Sequence, residues 1–96
     1  MPRFMIEVPH AADALSCAKA VESFLRSGSL FVPHADWGCK DGVHQAWIIV
    51  DVESKAEARG IVPLPFRANA RVTALNRFSL DEVGELLSNH PGKAGT

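Results

Sequence analysis

Between Arg3 and Pro9 apolar side chains alternate, with Phe4, Ile6 and Val8 on one side and Arg3, Met5 and Glu7 on the other. A period of two predicts a half-buried first strand. The period changes after Asp13, where Ala14, Cys17, Ala18, Val21, Phe24 and Leu25 recur at steps of three and four. This predicts a helix capped by Asp13 and ended by Gly28, with Cys17 on its core stripe as a small apolar side chain. Residues 30–38 and 43–52 are expected as the second and third strands. Lys40-Asp41-Gly42 joins them, because Asp-Gly supplies the positive φ of tight hairpins. The nearly unbroken apolar run Ala46-Trp47-Ile48-Ile49-Val50 predicts a central strand covered on both faces.

Ser54 and Glu57 have the spacing of a capping box, in which Ser54 accepts from the Glu57 N–H and the Glu57 side chain reaches back to the Ser54 N–H. The short helix that follows must stop before Pro63, and Pro63-Leu64-Pro65-Phe66 is expected to stiffen the next loop. Val72, Ala74 and Phe78 alternate with Thr73, Leu75 and Arg77, predicting a fourth strand over 71–78. A second capping box, Ser79 to Glu82, opens a last helix with Leu80, Val83, Leu86 and Leu87 on one side. A domain over 1–89 and a frayed, Pro/Gly-rich tail over 90–96 are expected.

The resulting order is β-α-β-β-α-β plus a C-terminal helix, an α+β pattern that predicts a ferredoxin-like antiparallel sheet with two helices on one face. The first and third strands are expected side by side at its centre, running parallel. The uncovered face then carries Met5, Glu7, Trp47 and Ile49, which is too apolar for water. A homodimer is expected, two sheets closing a barrel-like interior with a pocket in each half.

Composition narrows the function classes. A chain of 96 residues supplies one core, and 47% hydrophobic against 22% charged residues is a folding composition. A net charge of −1 gives no electrostatic grip on nucleic acid. No apolar run nears the roughly 20 residues that span a bilayer, and Met1-Pro2-Arg3 leads directly into a strand pattern, so a soluble, cytoplasmic protein is expected, away from membranes. Its two cysteines lack a CxxC spacing and read as free thiols; no metal or cofactor is expected.

The densest chemistry lies in the hairpin. Asp41-Gly42 as a two-residue turn sets Asp36 opposite Trp47, His34 opposite Ile49, and Cys39 opposite His44. His34, Asp36 and Trp47 then share the barrel-facing side with Glu7. A histidine and two carboxylates beside an aromatic wall suit proton exchange on a small organic acid or enol. In that case His34 and Asp36 exchange protons, Glu7 assists, Trp47 and Ile49 contact substrate, and Arg67 and Arg71 hold an anionic group. The plainer alternative is a His-Asp pair that fixes the hairpin and solvated arginines. Cys39 and His44 with Asp41 form a weak soft-metal pattern. Trp37 is expected in packing. His10 reads as a loop residue within reach of His34.

The element order, Leu25-Arg26-Ser27-Gly28 at the first helix end, the Trp-bearing hairpin and Asp51-Val52-Glu53-Ser54 together carry a resemblance over residues 3–88. The chain resembles the dimeric α/β-barrel superfamily of ferredoxin-like proteins, which includes muconolactone isomerases and cofactor-independent antibiotic-biosynthesis monooxygenases. In Ala35-Asp36-Trp37-Gly38-Cys39 it is similar to small bacterial members of that superfamily without an assigned role. The resemblance implies a metal-independent isomerase or monooxygenase that binds a small organic molecule in a sheet-lined pocket. The alternative is a non-catalytic structural or regulatory interaction module with a filled barrel.

Overall fold

The computed structural model describes residues 1–89. In chain order these form β1 (Arg3–Pro9), α1 (Ala14–Leu25), β2 (Asp36–Trp37), β3 (Gln45–Asp51), α2 (Lys55–Ile61), α3 (Leu64–Arg67), β4 (Arg71–Leu75) and α4 (Leu80–Ser88), with 3-10 turns at Val32–His34 and Cys39–Asp41. The four strands make one sheet in the order β2-β3-β1-β4, and every neighbouring pair is antiparallel. The expected parallel pairing of β1 and β3 is therefore corrected. The crossover through α1 returns the chain in the direction of β1, and the hairpin then reverses it, so β3 enters beside β1 running against it. No helix among the described residues is long and apolar enough to cross a membrane.

The alternation in β1 survives intact: Phe4, Ile6 and Val8 are buried, and their antiparallel partners Val50, Ile48 and Ala46 are buried opposite them. Val72 of β4, Phe24 of α1, Ala58 of α2 and the connecting Val32, Val52, Val62 and Ala70 complete the cluster. Phe24 anchors the helix to the hairpin, its ring edge-on to Trp37 at 4.8 Å and to Phe66 at 5.7 Å. Trp37 thus packs on the core, as expected. The buried stripe of α1 is narrower than its apolar pattern, because Ala20 and Phe24 point inward while Ala18 and Leu25 face out.

Local caps form where the sequence places them. Asp13 accepts from the Ser16 N–H at 2.8 Å, Ser54 from the Glu57 N–H at 3.1 Å, and Ser79 from the Glu82 N–H at 3.1 Å. The Glu57 carboxylate accepts from the Glu53 N–H at 2.9 Å, one residue before its expected partner.

The second strand is far shorter than its expected span of 30–38. Ser29 Oγ accepts from the N–H groups of Phe31 and Val32 at 3.0 and 3.4 Å, and Pro33 has no N–H for a ladder, so this stretch turns instead of pairing. β4 also stops early, leaving Phe78 exposed. The expected stiff loop at Pro63-Leu64-Pro65-Phe66 instead runs into the one-turn helix α3. The Arg59 guanidinium holds this region by donating to the carbonyls of Arg67 and Ala70 at 3.2 and 2.7 Å.

Among the described residues only one face of β3 is fully covered: on the other, Trp47 is half-buried and Ile49 is 56% exposed. Every residue of α4 is exposed, including Leu80, Val83 and Leu87 of its apolar stripe. The tail expected over 90–96 lies outside the described residues.

Phe24→Ala removes the ring that joins α1, Trp37 and Phe66 and is expected to cost about 3–5 kcal/mol, read as a lowered urea midpoint at unchanged m. Acid lability follows from two carboxylates held below the usual 3.8, Asp13 by hydrogen bonds from the Ser16 hydroxyl and N–H, Asp51 chiefly by the hydrogen bond from Arg3. Depressed folded-state values add stability above the unfolded pKa, and this is lost as pH falls through the folded values. Stability is expected to decline below about pH 4, less steeply in Asp51→Asn, as measured by urea melts across pH.

Candidate functional site

On the face away from the helices, strand register arranges side chains in rows. One row crosses all four strands as Asp36, Trp47, Glu7 and Arg71. The next holds Ile49, Met5 and Thr73, and the third Asp51, Arg3 and Leu75. Cross-strand neighbours on one face have Cβ atoms about 4.5–5.5 Å apart, so each row is a contiguous strip. The third row contains an exposed ion pair, Arg3 Nε to Asp51 Oδ1 at 3.0 Å. At that end, Arg3, Ile49, Asp51, Leu75 and Arg77 border an open depression of about 600 Å³.

The sheet therefore brings Asp36, Trp47 and Glu7 together, in the register read from the Asp-Gly turn, with Ile49 one row away. His34 lies apart from the rows. It sits exposed in the 3-10 turn before β2, so no strand pairing sets it opposite Ile49. The two expected anion-holding arginines serve different elements. Arg67 donates through Nε and Nη2 to the carbonyl of Val62 at 3.1 and 2.9 Å, and through Nη2 to that of Gly60 at 3.1 Å, closing the end of α2. Arg71 stands in the first row beside Glu7.

Gly38 sets the position of Trp47. A Cβ there would lie 2.7 Å from the Val43 carbonyl oxygen and 2.8 Å from the Trp47 ring, so only glycine lets the indole lie against the hairpin. The hairpin loop is longer than the two-residue turn expected. Cys39–Asp41 forms a 3-10 turn, Gly42 has a φ of 81°, and the Val43 N–H donates to the Gly38 carbonyl at 2.9 Å. Cys39 is thus a loop residue and not the strand partner of His44.

A second cluster lies on the helix side. The His10 N–H donates to the His44 carbonyl at 3.1 Å, extending the β1–β3 register by one pair beyond the strand ends. The same alternation that buries Val8 and Ala46 assigns His10 and His44 to the covered face. His10 Nδ1 is 2.8 Å from the Ala11 carbonyl oxygen. A carbonyl only accepts, so in the neutral ring Nδ1 carries the proton and Nε2 presents a lone pair. That lone pair lies 3.0 Å from Cys39 Sγ. The His44 ring stands edge-on to His10 at 5.6 Å and the Trp37 ring lies 5.8 Å from it. His44 Nδ1 is buried with no hydrogen-bond partner among the described residues. Both cysteines are free thiols. Removal from water pushes the Cys39 thiol pKa up, and hydrogen bonding to the Cys17 thiol and its charge push it the same way.

The ligand atoms of His10, Cys39 and His44 all lie within 4.8 Å of one another. Asp41, the expected third partner of Cys39 and His44, is not in this group, and His10 approaches them instead of His34. A detectable signal existed: with β1 and β3 antiparallel, continuing the ladder past Pro9 and Gln45 pairs His10 with His44.

Gly38→Ala forces the Trp47 ring and the loop carbonyl apart. An overpacking cost of about 1–3 kcal/mol is expected in urea melts, together with a red-shifted tryptophan emission from a displaced, wetter indole.

No protein-family model, curated protein or solved structure matches this chain.

Proposed function

We propose that the chain is ferredoxin-like in topology and works as a cytoplasmic homodimer, two sheets meeting through their open faces and holding a small organic acid against Trp47. The observation that carries this is the composition of that face. Its middle row carries Met5 and Ile49, Trp47 adjoins them from the first row, and charged side chains lie in the rows on both sides. The β2-β3-β1-β4 order with helices on the opposite side supports the topology. A second copy suits the surface because each first row carries carboxylates at Asp36 and Glu7 and a guanidinium at Arg71. A two-fold axis can then set each Arg71 toward the partner's acidic side chains. The exposed Leu80, Val83 and Leu87 of α4 offer the same partner further apolar area. Two free thiols suit a reducing compartment.

Closing the interface removes water from Glu7 and Asp36 and sets two carboxylates beside a bound organic acid, within reach of general-base proton transfer. Trp47 supplies a stacking wall and Arg71 a partner for the carboxylate. The reaction class is a metal-independent isomerisation by proton transfer.

Sedimentation equilibrium at micromolar protein is expected to give twice the chain mass, and Ile49→Arg to give the single-chain mass; a monomeric wild type overturns the proposal. Titration with benzoate, followed by tryptophan fluorescence, is expected to saturate and to weaken about tenfold or more in Arg71→Ala, the loss of one charge-assisted hydrogen bond. A dimer that does not bind benzoate favours a filled barrel acting as an interaction module.

A further inference from the structure

The helix-side cluster has no role in a ligand site on the open face, yet it brings two imidazoles and a thiol together where β1 ends and β3 begins. We propose that His10, Cys39 and His44 form a three-ligand site for zinc or a like borderline-soft divalent cation, with water completing a tetrahedron.

Donor type, geometry and protonation all agree with this. Imidazole and thiolate are ligands zinc prefers, and three protein ligands with water in the fourth position complete a zinc tetrahedron. Zn–N of about 2.0–2.1 Å and Zn–S of about 2.3 Å put ligand atoms about 3.3–3.8 Å apart on a tetrahedron. The His10 Nε2 to Cys39 Sγ distance is 3.0 Å and the full triad spans no more than 4.8 Å, so side-chain rotations alone close the site. His10 is already oriented to ligate, since the Ala11 carbonyl holds its Nδ1–H and so turns the Nε2 lone pair toward Cys39. This is the outer-shell arrangement that fixes the tautomer of a metal-bound histidine. The buried, unpartnered Nδ1 of His44 marks its ring as a polar group lacking the partner that burial normally demands.

On binding, the Cys39 thiol loses its proton to solvent, the thiolate and two neutral imidazoles donate to the cation, and no oxidation occurs. The site would clamp the end of β1, the start of β3 and the β2–β3 loop together.

The test is titration of the metal-free full chain with Zn(II), and separately with Co(II) as a spectroscopic probe. Expected are one cation per chain, proton release to the buffer, tetrahedral cobalt absorption with thiolate-to-cobalt charge transfer, and protection of the Cys39 thiol from alkylation. Cys39→Ser and His44→Gln are expected to weaken binding by more than about 100-fold, beyond the loss caused by removing an outer-shell partner. Asp41→Asn is expected to change nothing. The wild-type spectra need no folded variant. Absence of saturable binding, or cobalt spectra without thiolate character, overturns the site.

Discussion

The antiparallel ladder between β1 and β3 is the constraint on which everything else depends. Its register opposes Phe4 to Val50, Ile6 to Ile48 and Val8 to Ala46, so one face of two central strands is wholly apolar and buried beneath the helices. Because alternation has a period of two, the same register commits every odd-numbered position of these strands to the other face. A slip of β1 by one residue would bury Glu7 and expose Ile6, at a cost the small core could not offset.

That division separates two kinds of chemistry. The open face holds carboxylates, guanidiniums and an indole at exposed or half-buried positions, where water screens charge and any strong electrostatic effect awaits a covering surface. The covered face holds imidazoles and a thiol, groups that tolerate burial when neutral; the neutral imidazole is already a ligand, and the thiol becomes one on losing its proton. Gly38 and Trp37 lie where the two meet. Gly38 lets the Trp47 ring lie against the hairpin on the open side, and Trp37, one residue earlier, packs between Phe24 and His10 on the covered side.

The hairpin carries most of this chemistry with very little regular structure. Only Asp36 and Trp37 pair as β2, and the segment before them is organised by Ser29 and a 3-10 turn. Its position depends on side-chain contacts, chiefly Phe24 against Trp37 and the His10, Cys39 and His44 cluster, more than on ladder bonds. A cation bound at that cluster would reinforce the least regular part of the sheet.

Features decided within a few residues were legible in the chain itself. The caps at Asp13, Ser54 and Ser79 each close over three residues, the alternation in β1 and β3 is a local period, and the pairing of Asp36 with Trp47 follows from a turn lying between them. The extent of β2 was not legible, because Val, Phe and His in a run resemble a strand until Ser29 and Pro33 divert their hydrogen bonds. The buried stripe of α1 depended on which side the sheet lay. Above all, the direction in which β1 meets β3 depends on the path of the intervening chain, and with a parallel pairing His10 would sit at the far end of β3 from His44. Glu7 still shared a face with Trp47, because side-chain parity survives a change of strand direction. The joining of His10 to His44 and Cys39 did not, because which strand ends coincide is a property of the tertiary route alone.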